Sequence, residues 1–279
     1  VSEDAHSSFI KCIRIMGLDE ANLIRIKTDN NGSIDIQNLR KTIDRCFIDN
    51  KKIIAIVATL GTTVRGAIDP IKDISEICKE RNIWLHIDGS IGGIFAITSI
   101  PIEGLNNINQ ANSITINPQK IIGITKTSSL LLVSNISNLE NTFSTGLPYT
   151  STMENISNRG ELGIQGSRPA EVIKLWLGLR SLGMKGIEEI LKSSINKKDF
   201  FLNNISKSKF EIYSGPLHIV SFLPKGLTLK DSDSWTQAKV NELIKNNFML
   251  SRPKFKGKYY LRAVMGNHNT KDSHIEELL

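Results

Sequence analysis

Hydrophobic and polar positions follow two periods along this chain. In SEDAHSSFIKCIRIMG, residues 2–17, Phe9, Ile13 and Met16 recur at helical spacing, with Ser2 as the capping residue. NLIRIKT (22–28) predicts a strand, and DIQNLRKTIDRCF (35–47) returns to the helical period. KIIAIVATL (52–60) is a continuous apolar run, as expected of a strand covered on both faces. DPIKDISEICKERN (69–82) predicts a helix capped by Asp69 with Pro70 at its first position. IWLHID (83–88), SITIN (113–117) and SSLLLV (128–133) are three further strands. Strands alternating with helices predict an open, largely parallel α/β sheet covered on both faces, with ligands at the carboxyl ends of the strands.

The pattern changes after about residue 135. Residues 137–160 are rich in Ser, Asn and Thr and weakly patterned, too long for an ordinary connection, and are expected to form a lid or mobile loop. RPAEVIKLWLGLRSLG (168–183) is a strong helix with Val172, Leu175, Leu179 and Leu182 in register, and a second helix is expected from about Ile187. Strands KFEIYS (209–214) and HIVSFL (218–223), helix DSWTQAKVNELIKNN (233–247), strand KYYLRAV (258–264) and a terminal helix complete the chain. These elements predict a large domain over residues 1–172 and a small α+β domain over 173–279.

Composition narrows the classes. The 279 residues are 40% hydrophobic and 23% charged, as in an ordinary soluble globular protein. No run approaches the length of a membrane span, and the polar start VSEDAHSS is no signal peptide. The net charge of +7 is spread along the chain, and its densest run, RPKFKGK, is short. It predicts a solvated surface and no nucleic-acid partner. Cys12, Cys46 and Cys78 match neither a disulfide framework nor a metal spacing, so a reducing cytoplasm and no metal are expected.

Candidate chemistry gathers at the predicted strand ends. Thr62 and Thr63 follow IVATLG, Asp88 ends IWLHID, and Lys120 follows SITINP. A lone lysine after a strand ordinarily lays its stem on the core and its ammonium in water. Beside an aspartate in a cleft, however, a desolvated lysine is suited to Schiff-base chemistry, and the acid can keep a pyridine nitrogen protonated. That pairing is the pattern of pyridoxal 5′-phosphate sites.

The blocks SEDAHSSFIKCIRIMGL, ATLGTTVRGAIDPI, IWLHIDGSIGG, SITINPQK, GSRPAEVIKLWLGLRSLG and LRAVMGNHNT, in this order and spacing, carry a further reading. Through them the chain resembles the group II pyridoxal-phosphate-dependent amino-acid decarboxylases, the family of aromatic-L-amino-acid, glutamate and histidine decarboxylases. The resemblance implies the fold-type I, pyridoxal-phosphate-dependent-transferase-like architecture: a large domain with a mostly parallel sheet and a small α+β domain. It also implies pyridoxal 5′-phosphate as cofactor, a small amino-acid substrate and a homodimer. Carried over by position, Lys120 would hold the cofactor as a Schiff base, and Asp88 would pair with the pyridine nitrogen. His6 would stack on the ring, Ser90 would lie under its other face, and Thr63 would lie near the ring hydroxyl. Ser113 would help hold the phosphate, Asn117 belongs to the motif before the lysine, and Tyr149 would donate the proton that completes the amine.

The chain departs from the family pattern at Gln119, where histidine is usual, at DGS in place of DAA or DAS, and at Asn112, where aspartate is common. It also begins at the ring-stacking histidine, so the family's N-terminal region is missing from it. The expected function is decarboxylation of an L-amino acid to its amine and CO2. The alternatives are an altered reaction such as aldehyde synthesis, or a non-catalytic remnant or partner of a longer paralogue.

Overall fold

The computed structural model describes residues 1–126, 128–145 and 159–279. Its first sheet holds β1 (Ala55–Thr59), β2 (Trp84–Gly89), β3 (Ser113–Ile116) and β4 (Leu130–Val133), side by side in that order. β1, β2 and β3 are parallel, and β4 returns antiparallel. The mostly parallel α/β sheet expected from the alternating pattern is therefore present. Along β2 burial alternates: Leu85, Ile87 and Gly89 are buried, while Trp84, His86 and Asp88 lie half-buried on the other face. Leu131 and Leu132 of β4 remain about half exposed.

Helix α2 (Ile36–Ile48) follows Asp35, whose side chain caps the helix by accepting from Asn38 N. It turns Leu39, Ile43 and Cys46 inward. Helix α3 (Ile71–Arg81) buries Ile71, Ile74, Ile77 and Cys78 against the sheet. It ends at Asn82 in the left-handed conformation that asparagine tolerates well. Both helices join β1 and β2 in one core through Ile56, Ala58, Leu60, Leu85 and Ile87.

Three expectations for the N-terminal half are corrected. Helix α1 spans only Ser8–Ile15, and Ser2 is not its cap. Ser2 is buried and forms a parallel bridge with Ile26, because the chain either side of it pairs with residues 24–26. Of the three apolar residues on the helix face, Ile13 is buried and Met16 is largely exposed. The strand expected at 22–28 reduces to bridges at Ile26 and Thr28, preceded by a short 3₁₀ turn at Glu20–Asn22. Asp69 does not cap α3, since Pro70 occupies that position without a side-chain bond. Asp69 instead accepts from Thr59 N and Ile34 N, both at 2.7 Å, and so ties β1 to the loop before α2.

Helix α4 (Ser137–Phe143) precedes the long α5 (Val172–Asn204), which contains both expected helices. They meet at Gly183, with φ 58° and ψ 175°, a conformation natural only to glycine. Val172 is 69% exposed, so the apolar stripe expected there begins only at Leu175. Leu175, Ile187 and Leu191 of α5 pack in the first core, and Phe201 packs in a second one. That second core lies between the later part of the helix and an antiparallel sheet of β5 (Phe210–Ser214), β6 (Ile219–Pro224) and β9 (Leu261–Val264). Helix α6 (Leu229–Lys245) is capped by the Thr228 hydroxyl, and α7 (Asp272–Leu278) follows β9.

The strand expected over 258–264 is split at Tyr260. Its first part is β8 (Lys258–Tyr259), which pairs with β7 (Lys254–Phe255) across a turn at Lys256 and Gly257, both at positive φ. The basic run RPKFKGK is thus largely a hairpin. Among the described residues, no helix is long and apolar enough to cross a membrane.

Asp69 supplies a test of this frame. It is buried, and burial pushes its carboxyl up to about 7 against the pull of its two backbone donors. Asp69→Ala leaves Thr59 N and Ile34 N without an acceptor in a dry place, at about 1–3 kcal/mol for each lost partner. We expect urea unfolding to show a loss of about 2–5 kcal/mol; an unchanged midpoint would mean that solvent reaches both amides.

Candidate active site

The parallel register places the chemistry. Thr59 of β1 pairs with Asp88 of β2, and Asp88 pairs with Thr115 of β3. All three strands run in the same direction, so their carboxyl ends share one edge, and each is followed by a loop at that edge. After β3, Pro118 opens a short 3₁₀ turn that ends on Lys120. Ile121 and Ile122, directly after the lysine, are buried and anchor the turn.

Lys120 is an exposed residue whose amine is nonetheless pushed below the ordinary lysine range. Partial desolvation is the main cause; the Asp88 carboxylate opposes it, and the Arg262 guanidinium adds to it. The lysine amine is therefore within electrostatic reach of both the aspartate and the arginine. Asp88 Oδ1 accepts from Ser90 N at 3.1 Å, while Oδ2 has no protein partner among the described residues. Asn117 accepts from Ser129 Oγ through Oδ1, and its amide donors have no partner among the described residues. Thr63 follows β1 at the same edge, and its carbonyl accepts from Arg262 Nη1 at 2.6 Å. Arg262 Nε donates to Ser251 Oγ at 2.7 Å, so its fork is fixed at two points, while Nη2 has no partner among the described residues.

The structure brings together Lys120, Asp88, Ser90, Asn117 and Thr63. It gives His6 and Ser113 other surroundings. His6 is exposed, and its described partners are the hydroxyl and backbone N–H of Ser8. Ser113 lies at the opposite end of β3 from Lys120, buried, in hydrogen bonds with Trp84 Nε1 and His86 Nδ1. Tyr149 lies outside the described residues.

Two departures in sequence now have local explanations. A Cβ at Gly89 would sit 2.9 Å from Thr115 O and 3.1 Å from Gly93 Cα, so the residue after Asp88 has no room for alanine. Gln119 Oε1 accepts from Ser128 N at 2.6 Å and joins the lysine turn to the segment leading into β4.

Sequence reasoning missed Arg262, although the block LRAVMGNHNT contains it. Its signal is an arginine in a strand where Leu261 and Ala263 turn inward, which puts the guanidinium on the other face. It also missed His218, which is 2% exposed and stacks on Phe95 with 6.2 Å between ring centroids. Nδ1 of His218 is buried without a partner among the described residues, and desolvation pulls its imidazole down to about 4.

The donor set fits pyridoxal phosphate. An amine with a lowered proton affinity stands by a carboxylate that has one uncommitted oxygen, as an aldehyde and a pyridine nitrogen require. Asn117 and Lys120 would hold it from one strand end, Asp88 and Ser90 from the next, and Thr63 from the loop after β1.

A model of the pyridoxal-dependent decarboxylase conserved domain matches residues 1–223. The aromatic-L-amino-acid decarboxylase of Bacillus atrophaeus is 27% identical over 288 aligned positions, covering 100% of this chain and 60% of that protein. The acidic amino acid decarboxylase GADL1 of Xenopus tropicalis is 30% identical, over 74% of this chain and 41% of its own length. The chain thus spans less than two thirds of these relatives. Among solved structures, Oryza sativa TDC with PLP and tryptamine superposes with a TM-score of 0.91 at 20% identity, covering 99% of this chain and 60% of that one. Mouse CSAD in apo form gives 0.89 at 24%, over 99% and 61%.

Two expected outcomes follow from the charges. Removing the like charge in Arg262→Met raises the titration midpoint of the Lys120 amine, and removing the opposite charge in Asp88→Asn lowers it. Competitive acetylation across pH with peptide mapping reads both; shifts of the same sign would dissolve the cluster. For His218, the unfolded chain takes up a proton below about pH 6.5, whereas the folded one resists until about 4. Stability from this group is complete above that window and is lost as pH falls through it, by up to about 3 kcal/mol. Asp69, raised to about 7, acts in the opposite sense between 3.8 and 7, so the test compares wild type with His218→Leu. The variant should have a shallower acid limb in urea titrations, and parallel limbs would contradict the burial account.

Proposed function

The chain belongs to the pyridoxal-dependent decarboxylase family, and on that premise we propose that it carries the reacting half of an enzyme that removes the α-carboxylate of an L-amino acid as CO2. The observation that carries the reading is the placing of Asp88 and Lys120 at the adjoining ends of β2 and β3, with Arg262 of the second sheet tied to Thr63 O at the same edge and both charges acting on the Lys120 amine. Pyridoxal phosphate, when bound, supplies an electron sink for the pair released from the α-carbon.

The protein's own groups do the rest. Lys120 contributes an amine that loses its proton more easily than an ordinary lysine. Asp88 would hold a proton on the ring nitrogen with the oxygen that has no partner among the described residues. Arg262 anchors a substrate carboxylate through Nη2, while Thr63 O and Ser251 Oγ keep the fork in place. Asn117 offers amide hydrogens toward the phosphate side. The resemblance assigns ring stacking to His6, a phosphate contact to Ser113, and the final proton transfer to Tyr149. The substrate is an aromatic or acidic amino acid, and the three free cysteines suit a reducing cytoplasm.

The same reading divides the chain at 172/173, with α5 crossing from one core to the other. It pairs two copies through the start of that helix, where Val172, Ile173, Trp176 and Leu177 are more than half exposed. An apolar face of this kind is suited to a partner.

The test is to incubate the chain with pyridoxal phosphate, reduce with borohydride and map the peptides. We expect the label on Lys120 and its loss in Lys120→Ala. CO2 release is then measured over aromatic and acidic amino acids, for this chain and for one extended by the N-terminal segment of the Bacillus atrophaeus relative. Turnover by the extended chain, lost in Asp88→Ala, supports the reading. A label on another lysine, or none in a folded sample, sinks the site assignment. Labelling without turnover in either form favours the non-catalytic alternative.

A further inference from the structure

Lys197 is an unusual residue for the interior of a helix. It lies on the inner face of α5 with 6% of its surface exposed, between buried Ser194 and Phe201. Its ammonium donates to Asn267 O at 2.9 Å and His268 O at 3.4 Å, and it forms no ion pair among the described residues. Burial works against its charge, and Asp272 at the start of α7 favours it. A lysine kept in such a place needs a use for its donors, since an unpaired buried ammonium is costly.

The two carbonyls belong to the segment Met265–His268, which leaves β9 three residues after Arg262. The same segment runs past the lysine turn. A Cβ built on Gly266 would stand 3.6 Å from Lys120 O and 3.6 Å from His218 Nε2. One built on Gly123 would stand 3.9 Å from His268 Cε1. Met265 N donates to His218 O at 2.9 Å. The segment is thus a strap one chain thick. Lys197 grips it through two carbonyls, and at Gly266 it runs close to the backbone of Lys120, with room for no more than a Cβ between them.

We propose that Lys197 is a positioning residue: by holding the carbonyls of Asn267 and His268 it sets the strap beside the lysine turn and so fixes the position of Lys120 at the strand edge. The charged donor spans two consecutive carbonyls, which a neutral side chain cannot satisfy as well. The role rests on the assignment of Lys120 as the reacting amine, and its test separates the two.

The experiment compares Lys197→Met, which keeps the apolar stem, Lys197→Arg, which restores two donors, and Lys198→Met, which removes the neighbouring buried lysine of α5. Hydrogen–deuterium exchange is followed over residues 262–270, and the Lys120 titration midpoint is read by competitive acetylation without cofactor. Lys197→Met should speed exchange in the strap by about tenfold or more. It should also raise the Lys120 midpoint toward that of an ordinary lysine, because water then reaches the turn. Lys197→Arg should restore most of both, and Lys198→Met should change neither. Unchanged exchange and midpoint in folded Lys197→Met, or equal changes in Lys198→Met, would overturn the proposal. Should Lys197→Met not fold, Lys197→Gln decides by the same two readings. Failure of wild-type Lys120 to trap pyridoxal phosphate would count against the proposed reaction and leave the strap measurement standing.

Discussion

Parallel pairing in a single register, Thr59 to Asp88 to Thr115, is the constraint on which the site depends. It brings three strand ends to one edge and sets the carboxylate of one strand beside the lysine that follows the next. The pairing leaves no slack at that end. Leu60 N donates to Asp88 O, and Gly92 N donates to Leu60 O, so the loops after β1 and β2 are laced together. Glycine at 92 lets their backbones touch, since a Cβ there would lie 2.7 Å from Leu60 O. A slip of one residue would turn Asp88 to the buried face and remove it from the lysine.

The second sheet completes the edge from above. Ser221 Oγ donates to Val64 O at 2.5 Å, Gly215 N donates to Arg65 O at 2.5 Å, and Arg262 reaches Thr63 O. Three consecutive carbonyls of the loop after β1 are therefore satisfied by residues from 215 onward. Arg65 itself is buried, paired with Asp4 at 3.1 Å and flanked by the rings of Tyr213 and Phe255. Such a pair adds little net stability, but it penalises any arrangement that separates its members. Specificity of docking, more than strength, is what it offers here.

Much of the architecture was legible because burial imposes its period on the residues. The runs at 52–60 and 83–88 became β1 and its parallel neighbour β2, and the helices at 35–47 and 69–82 formed within a residue or two of their expected bounds. Errors cluster where distant segments supplied the hydrogen bonds. Ser2 became a bridge residue because Ile26 lay within reach, and Asp69 left the helix cap because Thr59 and Ile34 both presented amides to it. At the site, Lys120 and Asp88 were readable from their place after strands. Arg262 and His218 were not, since a residue more than a hundred positions away carries no local mark of its neighbour.

The amino-acid sequence by itself determined the alternation of strands and helices, the strand-end placement of Asp88 and Lys120, and the family likeness carried by the order of its motifs. These follow from local periodicity and residue chemistry, which need no knowledge of the partner segment. Tertiary structure alone decided the contacts between remote parts of the chain. It put Arg262 on Thr63, committed Ser113 to Trp84 and His86 at the far end of β3, and tied Lys197 to the strap that runs past Lys120. Those choices depend on which surfaces meet when two sheets and a kinked helix pack, and packing is a property of the folded whole.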